Sequence, residues 1–401
     1  MTPYPIYKLG EIVDFYSGYG FPKNLQGKKT GKYPFYKVGD ISKNVQNGFS
    51  HLLLCDNFID DNDLSALKGV LLPESTLVFA KIGEALKLNR RALTKGLCLV
   101  DNNVVGIKAK TDKCLDLYLF YYFKTIKLEK YSRATTVPSV RKSDIELIPI
   151  PLPPLPTQHA IVSRIETLFA ELDKAAKHLR TAQQQIKTYR QAVLNHWLNN
   201  DEGEWEMVKL KDICISISDG DHLPPKRTNK GIPFITISDI KGNNIDFSNV
   251  SYMTEDYYEN LSENRKPMIG DILYTVTGSF GIPVMVEDNK KFCFQRHIGL
   301  VRPNQNLVWQ KWLYYMMQSP IIYSQANEKS TGTAQKTVTL TVLRDFNLFL
   351  PPLSEQQRIV DEIETRLSQA TASETYIENA LQQAEALRQS ILKKAFSGEL
   401  V

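Results

Sequence analysis

The sequence has no apolar run long enough to span a membrane and no cysteine pair spaced to hold zinc. No window reaches the ~18 apolar residues of a membrane span, and the first residues lack the basic start and apolar core of a signal peptide. The five cysteines are an odd number without a C-x-x-C pair, which indicates reduced core residues rather than a disulfide framework. We therefore expect a cytoplasmic protein that contacts no membrane.

The sequence also lacks the motifs of several catalytic sites. It has no G-x-x-x-x-G-K-S/T phosphate loop, and its double prolines are not part of the Asn/Asp-Pro-Pro-aromatic motif of a methyltransferase. Residues 239–241 (DIK) resemble the end of a Mg²⁺ nuclease site, but the equivalent residues 40–42 (DIS) lack the lysine, which favours a strand-end turn. His222 and His297 have no carboxylate or cysteine at metal-ligand spacing. We expect no catalytic residue, metal or cofactor in this chain.

The length and the distribution of charge limit the organisation of the chain. A length of 401 residues predicts at least two domains, each large enough to bury its own core. Residues 1–150 hold 22 Lys and Arg against 15 Asp and Glu, whereas residues 201–350 hold 16 against 18. A basic first half suits a polyanionic partner, but the second half would need local basic clusters to bind one.

A sequence repeat divides the chain into two copies of one module. Residues 152–168 read LPPLPTQHAIVSRIETL and residues 350–366 read LPPLSEQQRIVDEIETR, with ten of seventeen positions identical at an offset of 198. Weaker matches keep nearly the same spacing, among them residues 77–83 (LVFAKIG) with residues 272–278 (ILYTVTG). Duplicated segments at one offset indicate two structural repeats.

The part of each copy before the double proline resembles a mixed α/β domain. Short runs rich in β-branched and aromatic residues, bounded by Gly, Asn, Asp and Pro, predict strands, for example within residues 97–109 and 271–286. Aromatic stretches at residues 117–123 and 309–317 predict a buried helix packed on each sheet.

The part of each copy after the double proline predicts a long helix. We expect N-caps at Thr157 and Ser354, the latter in a capping box with Gln357. Apolar or small residues then recur at alternating steps of four and three, which is the heptad seam of a coiled coil. In the first copy the seam comprises Ile161, Ile165, Leu168, Leu172, Ala175, Leu179, Ala182, Ile186, Tyr189 and Val193. In the second copy it comprises Ile359, Ile363, Ala370, Ile377, Ala380, Ala384, Leu387 and Ile391, with Arg366 and Ser373 interrupting.

Chain connectivity predicts how the two helices pair. The first helix carries the chain roughly 60 Å from the first domain, and only a short linker at residues 199–204 separates it from the second. The second helix buries its seam on the first only by running back, so we expect an antiparallel, pseudo-two-fold symmetric pair with one domain at each end. The expected fold class is α+β, with two tandem-repeat mixed α/β domains separated by a long antiparallel coiled coil. Two domains held at opposite ends of a helix pair suit two separated half-sites on DNA.

Over its full length the chain resembles the specificity (S) subunit of type I restriction-modification systems. The resemblance rests on the duplicated architecture, on residues 149–155 (PIPLPPL) and 350–356 (LPPLSEQ), and on the Ile-Val-x-x-Ile-Glu starts of both helices. Residues 135–140 (TTVPSV), 331–336 (TGTAQK) and 396–400 (FSGEL) are also similar to that family. The first copy departs from the family pattern, with Thr157-Gln158 in place of Glu-Gln.

The resemblance implies a domain assignment and a set of partners. Residues 1–151 and 199–350 would be target recognition domains, each reading one half of a bipartite target in double-stranded DNA, and residues 152–198 and 351–401 the long helices. The helices would set the spacer length and dock two methyltransferase (M) subunits, and two restriction/translocase (R) subunits would complete the complex. S-adenosylmethionine, ATP and Mg²⁺ are implied only in those partner subunits.

Basic loops interleaved with aromatic or amide side chains are the candidate DNA contacts in each domain. The candidates in the first domain are Tyr19, Lys23, Lys28, Lys29, Lys32, Arg90, Arg91, Arg133, Arg141 and Lys142. Those in the second domain are His222, Lys226, Arg227, Gln295, Arg296, Gln335 and Lys336. Arg227 has the donors to bond guanine, and each amide beside a cation suits adenine and guanine edges. Solvated surface loops remain the alternative for each.

Three functions compete on the sequence alone. A non-catalytic DNA-specificity subunit explains the repeat, the helices and the basic loops together. The alternative is a coiled-coil scaffold or adaptor without a DNA-reading role, against which the basic loops at matching positions argue. A free-standing nuclease is the third reading, and it would have to nick DNA with Mg²⁺ alone.

Overall fold

The computed structural model describes residues 3–132, 137–199, 205–220, 226–332 and 336–401. The chain divides into two compact units. Unit 1 consists of Met1–Leu179 and Asn379–Val401, and unit 2 consists of Arg180–Glu378. Each unit therefore combines one globular domain with part of each of two long helices.

The globular domain of unit 1 mixes short strands with short helices. Its strands are β1 (Ile6–Lys8), β2 (Val13–Ser17), β3 (Tyr33–Tyr36), β4 (His51–Leu52), β5 (Phe58–Ile59), β6 (Leu77–Ala80), β7 (Arg91–Thr94), β8 (Leu99–Val100), β9 (Val104–Ala109) and β10 (Pro149–Pro151). Its helices are α1 (Leu9–Ile12), α2 (Val38–Gln46), α3 (Asp61–Leu67), α4 (Glu84–Lys87), α5 (Asp116–Thr125) and α6 (Lys142–Glu146), and the long helix α7 (Leu155–Leu198) follows.

The core of unit 1 lies between its main sheet and α5. The sheet has the order β2-β9-β6-β7-β4, and the central pair is antiparallel with Leu77 opposite Ile107. A three-stranded sheet has the order β5-β3-β8. The predicted aromatic helix is confirmed, since Tyr118, Phe120 and Phe123 of α5 are all buried.

Unit 2 repeats this architecture with different loops. Its strands are β11 (Glu206–Lys209), β12 (Cys214–Asp219), β13 (Ile232–Ile235), β14 (Ile240–Lys241), β15 (Asn244–Ile245), β16 (Ser251–Met253), β17 (Ile272–Thr275), β18 (Pro283–Met285), β19 (Cys293–Phe294), β20 (Ile298–Pro303) and β21 (Asn347–Leu350). Its helices are α8 (Glu255–Glu259), α9 (Gln310–Gln318), α10 (Pro320–Lys329) and α11 (Leu340–Arg344), and the long helix α12 (Leu353–Ser397) follows.

The main sheet of unit 2 has the order β12-β20-β17-β18 and packs against α9. Leu273 of β17 lies opposite Leu300 of β20, as Leu77 lies opposite Ile107 in unit 1. A smaller sheet has the order β16-β13-β19, in which β13 and β19 are parallel, as β3 and β8 are. The repeat in the sequence is thus a repeat of fold, and the α+β expectation is confirmed.

Each domain begins and ends on paired strands. In unit 1, β1 pairs antiparallel with β10, which precedes the double proline, and in unit 2, β11 pairs with β21 in the same way. The chain therefore enters and leaves each domain at one place, from which the long helix starts.

A buried glutamine fastens the start of each long helix to its domain. The amide of Gln158 donates to Lys113 O (2.8 Å) and accepts from Leu115 N (2.9 Å). Gln356, its counterpart, donates to Leu307 O (3.2 Å) and accepts from Trp309 N (2.7 Å). This explains why the duplicated stretch keeps a glutamine here, since the amide pairs groups that burial hides from water.

The predicted N-caps at Thr157 and Ser354 are wrong. The helices begin earlier, at Leu155 and Leu353, so both residues lie within the first turn. The carbonyls of Pro154 and Pro352 accept the first helical bonds, from Gln158 N (3.1 Å) and Gln356 N (2.9 Å). A proline is tolerated at this position because it needs no amide donor there.

The two long helices pack against each other within each unit. In unit 2, Arg190 of α7 donates to Glu374 (2.8 Å). Further along α7, the guanidinium carbons of Arg366 and Arg358 lie 5.7 Å and 5.4 Å from the centroid of the Trp197 ring. The partner numbers fall as the α7 numbers rise, so the pairing in this unit is antiparallel as predicted. In unit 1, Arg388 of α12 forms an ion pair with Asp173 of α7.

The seam is buried unevenly. Ile161 and Ile165 are buried in unit 1 beside Ile391, and Val193 is buried in unit 2 beside Ile359. Seam residues Tyr189 and Leu387 are 40% and 49% exposed. No helix in the described part of the chain is long and apolar enough to cross a membrane.

Candidate nucleic-acid interface

In unit 1, two loops flank the end of the central strand β6. Lys81, the residue after β6, donates its N–H to Asn103 O (2.9 Å) and accepts at its carbonyl from Val140 N (2.9 Å). Residues 101–103 form the turn between β8 and β9, and residues 137–141 precede α6. We call residues 81–83, 101–103 and 137–141 together the unit 1 edge.

Unit 2 has the same arrangement at the end of β17. Val276 donates its N–H to His297 O (3.0 Å) and accepts from Val338 N (2.8 Å). Residues 295–297 form the turn between β19 and β20, and residues 336–339 precede α11. We call residues 276–278, 295–297 and 336–339 together the unit 2 edge.

On the side away from the turn, a glycine in each edge donates a hydrogen bond to the loop before the short helix. Gly83 donates to Pro138 O (2.8 Å) and Gly278 donates to Lys336 O (3.0 Å). Both glycines have left-handed backbones, with φ of 74° and 71°, which favours glycine over other residues. The structure therefore brings Lys336 to the same strand end as the pair Gln295 and Arg296, which the sequence predicted separately from Lys336.

A second pair of glycines, Gly18 and Gly220, closely approaches the backbone at each turn. A Cβ on Gly18 would lie 1.7 Å from Asp101 O, and a Cβ on Gly220 would lie 2.0 Å from Phe294 O. Beyond Gly18, Tyr19 donates its N–H to Val100 O (2.9 Å), and its hydroxyl accepts from Val70 N (2.9 Å). Tyr19 is thus half-buried and holds the crossing loop in place beside the turn.

The exposed side chains of the two edges differ in chemistry. The unit 1 turn presents Asn102 and Asn103, whereas the unit 2 turn presents Arg296 with half-buried Gln295 and His297. Arg296 Nε lies 3.4 Å from His297 Nε2. Burial and the neighbouring guanidinium lower the pKa of His297, which leaves its imidazole neutral at pH 7.

Cations flank the strand end on the opposite side from each turn. Arg141 is exposed next to Val140, and in the described part of the chain its side chain has no bonded partner. Lys336 is exposed and donates to Asn327 Oδ1 (2.9 Å). Each edge thus combines an exposed turn with a cation, which is an arrangement suited to base contacts and phosphate contacts together.

The predicted basic loop of unit 1 is neutralised by aspartates. Lys29 pairs with Asp56 (3.0 Å) and Lys32 with Asp61 (2.8 Å), and Lys28 pairs with Asp60. With Lys43 and Asp63 the group has four cations and four carboxylates, and we call it the Lys–Asp cluster. Its members are Lys28, Lys29, Lys32, Lys43, Asp56, Asp60, Asp61 and Asp63.

The ion pairs of the cluster shift the pKa values of its carboxyls. Hydrogen bonds from Lys29 and Lys43 hold the pKa of Asp56 below its ordinary value. The bond from Lys28 does the same for the pKa of Asp60, and the bond from Lys32 for that of Asp61. The cluster therefore has as many carboxyls as lysines, and the expected basic loop is not a positive patch on this surface.

The expectation that Arg91 lies exposed in a basic loop is wrong. Arg91 is 4% exposed, and its guanidinium donates to Asn89 O (2.9 Å) and Ile126 O (2.6 Å) inside the domain. It lies in β7, not in the turn that the sequence suggested, and all four residues of that strand are buried. Burial lowers the pKa of its guanidinium to about 9.

The remaining candidates are spread over the surface. Lys23 is exposed in the loop before the Lys–Asp cluster, Arg90 is half-buried ahead of β7, and Lys142 on α6 lies 3.6 Å from Glu146. In unit 2, Lys226 is exposed and Arg227 lies 5.7 Å from the ring of Phe234. Arg133, His222 and Gln335 lie outside the described residues. Contact of any candidate with DNA stays a prediction.

Sequence reasoning missed the unit 1 turn. Asn102 and Asn103 carry no charge, so a search for basic loops passes over them. The repeat held the signal, because Asp101, Asn102 and Asn103 occupy the positions of Gln295, Arg296 and His297. In the described part of the chain, no group of His, Cys, Asp or Glu side chains could hold a metal ion.

The fold and the duplicated edges define a class of protein, a pair of tandem α/β recognition modules each followed by a long helix. A model of the type I restriction modification DNA specificity domain matches residues 1–180 and again residues 202–383. The chain therefore belongs to this family, and the resemblance noted in the sequence is confirmed.

Curated relatives and solved structures agree with this assignment. The specificity subunit of the type I restriction enzyme EcoBI from Escherichia coli is 26% identical, with 75% of this chain and 69% of that protein aligned. The EcoKI specificity subunit of E. coli strain K12 is 26% identical, and the alignment spans only 62% of its length. The MjaVIII specificity subunit of Methanocaldococcus jannaschii is 22% identical over 90% of this chain and 85% of its own.

Two solved structures share the fold over nearly the whole chain. One is a chain from a study of complex assembly and conformational transition of the type I R-M system, with a TM-score of 0.75, 19% identity and coverage of 100% of this chain and 99% of that one. The other is the HsdS subunit from Thermoanaerobacter tengcongensis, with a TM-score of 0.58, 19% identity and coverage of 99% and 98%.

Proposed function

We propose that this chain is the non-catalytic DNA-specificity subunit of a type I restriction-modification complex, and that each unit reads one half of a bipartite, asymmetric DNA target. The proposal rests on the two edges, which have matching backbone hydrogen bonds but different exposed side chains. Two copies of one reading surface with different chemistry are what two unlike half-sites require.

The long helices have two roles in this proposal. They set the length of the unread spacer, and they dock two methyltransferase subunits, to which two restriction/translocase subunits add. Support for docking comes from apolar surface on the helices of unit 2, where Tyr376 is 72% exposed beside a groove of 630 Å³ that Ile186 and Ala372 also line. An exposed apolar groove on a helix pair marks a surface that binds protein.

The map of methylated DNA tests the reading function. The full chain is expressed with its partner methyltransferase in a host without other adenine methylation, and modified adenines are sequenced. We expect one bipartite motif with a fixed gap, and replacement of residues 1–150 by the corresponding domain of a relative changes one half only. A methylation pattern that does not depend on this chain contradicts the proposal.

A helix insertion tests the spacer role. Two heptads are added to α7 after residue 179 and two to α12 after residue 378, which lengthens each helix by about 21 Å, or about six base pairs of duplex. We expect the gap in the methylated motif to lengthen while both half-site sequences stay the same. A changed half-site with an unchanged gap contradicts the role.

The scaffold without DNA-reading function has one observation in its favour. The lysines expected to contact phosphates in unit 1 are paired with aspartates of residues 56–63, so this loop is not a positive patch that would attract DNA. Salt titration of the assembled complex on DNA separates the two functions. If this chain reads DNA, the slope of log K against log salt is steeply negative. If the complex binds all sequences with the same affinity and this chain adds nothing to the slope, the scaffold function is supported.

A further inference from the structure

We propose that the exposed side chains of turn 101–103 and turn 295–297 contact base edges and determine part of the sequence of each half-site. The inference rests on the proposed reading function and assigns it to particular positions. If two domains have the same backbone and read different bases, the exposed side chains on that backbone must differ between them.

The backbones of the two turns are held identically. Asp101 N donates to Tyr36 O (3.0 Å), and Gln295 N donates to Ile235 O (3.0 Å). Each turn is then closed by a bond of 3.0 Å, from Val104 N to the carbonyl of Asp101 and from Ile298 N to that of Gln295. The backbone hydrogen bonds that hold the two turns therefore match, while the exposed side chains differ.

Each turn is also rigid, which readout of bases requires. On one side the end of the central strand bonds the third residue of the turn, and on the other side a glycine backbone presses against the first. At Gly18 and Gly220 the space for a Cβ is occupied by carbonyl atoms of residues 101 and 294. The backbone that carries each exposed side chain is therefore held from two sides.

The chemistry of the unit 1 turn fits adenine. Asn102 and Asn103 are exposed, and among the described residues neither side-chain amide has a hydrogen-bond partner. The carboxylate of Asp101 is already used, since its Oδ1 accepts from Asn103 N (2.8 Å). An asparagine amide matches the N6 and N7 positions of adenine with a donor and an acceptor.

The chemistry of the unit 2 turn fits guanine. Arg296 is exposed, and in the described part of the chain its side chain makes one hydrogen bond, the long one from Nε to His297 Nε2. Its two terminal nitrogens are therefore available to bond guanine O6 and N7 together. The neutral imidazole of His297 adds no competing charge.

Substitutions on the turns test the assignment in the assembled methyltransferase complex. Asn102→Ala and Asn103→Ala are compared with Asn62→Ala, an exposed asparagine on α3, by sequencing methylated adenines and by the methylation rate of the full target. We expect relaxed choice at one or two bases of the first half-site and a rate about tenfold lower, with the second half-site unchanged.

The matching substitutions in unit 2 are Arg296→Ala and Arg296→Gln, with Lys241→Ala on β14 as control. Arg296→Ala is expected to relax a guanine in the second half-site only, and Arg296→Gln to shift that position toward adenine. Unfolding midpoints equal to that of the parent chain show that exposed substitutions leave the fold intact.

The outcomes distinguish this inference from the proposed function. Unchanged motifs and rates for all four turn variants overturn the inference, even if the exchange of residues 1–150 still changes one half-site. If that exchange leaves both half-sites unchanged, the proposed function itself fails. A turn variant that alters the half-site of the other unit also overturns the assignment.

Discussion

The two edges have the same backbone and different surfaces. Each is built on a strand end bonded to a turn on one side and to a loop before a short helix on the other. Unit 1 shows two asparagines at its turn, while unit 2 shows an arginine. The glycines and buried bonds of the duplicated module therefore maintain the geometry, and the exposed positions can change chemistry without altering it.

The largest expected effect concerns the crossing glycines. Gly18→Ala and Gly220→Ala each push a methyl group into a backbone carbonyl, and such overpacking costs about 3 kcal/mol of unfolding free energy. Denaturant titration of the full chain measures it, with Gly20→Ala, which meets nothing within 4 Å, as control. A loss at one glycine without the other would show that the two edges are not built alike.

A somewhat smaller effect is expected at the helix starts. Gln158→Ala and Gln356→Ala leave buried backbone groups without partners, which costs about 2 kcal/mol each. Equal losses in the two units would extend the equivalence of the edges to the helix junctions. Gln184→Ala, on the exposed face of α7, is the control in the same unfolding measurement and should change little.

The paired lysines of the Lys–Asp cluster in unit 1 can be tested for contact with DNA phosphates. Asp60→Asn, Asp61→Asn and Asp63→Asn together release Lys28 and Lys32 from their carboxylates. If these lysines reach DNA phosphates, the slope of log K against log salt becomes steeper by about one unit per lysine. Glu84→Gln, which frees Lys87 from an ion pair outside the cluster, is the control. An unchanged slope removes Lys28 and Lys32 from the interface.

The smallest expected effect is on acid stability. The carboxyls of Asp56, Asp60 and Asp61 have pKa values lowered by lysines, so their ion pairs stabilise the fold above the ordinary carboxyl pKa, and this contribution is lost as the pH falls through the lowered values. Because these groups are exposed, the effect is small. Denaturation midpoints at pH 7 and pH 3 should differ less in Asp56→Asn than in the parent chain, and an equal difference would contradict it.

The sequence predicted the features that repeat or have a clear period. Ten identities in seventeen positions marked the module, and the steps of four and three predicted both long helices. It did not predict contacts between residues far apart in sequence. Lys28 meets Asp60 and Lys32 meets Asp61 only because β3 and β5 pair. Arg91 is buried because β7 pairs on both sides, with β6 and β4, and its guanidinium bonds Ile126 O just after α5.

The start of each long helix shows a different limit. Thr157 and Ser354 have the side chains of typical N-caps, but the glutamines that follow bind the loop before the aromatic helix and so fix the first turn. A tertiary hydrogen bond outweighs a local preference there. The unit 1 turn was missed for another reason, because uncharged asparagines give no signal in a search for cations.

The pairing of first and last strands in each domain has an evolutionary consequence. β1 pairs with β10 and β11 pairs with β21. If a homologous domain replaced either one, its first and last strands would therefore lie side by side in the same register. Recombination at the duplicated proline-rich stretch can then pass a whole domain from one lineage to another as a single heritable cassette, as long as α5 of the incoming domain keeps the contacts that Tyr118 and Tyr122 make with Phe396 of α12.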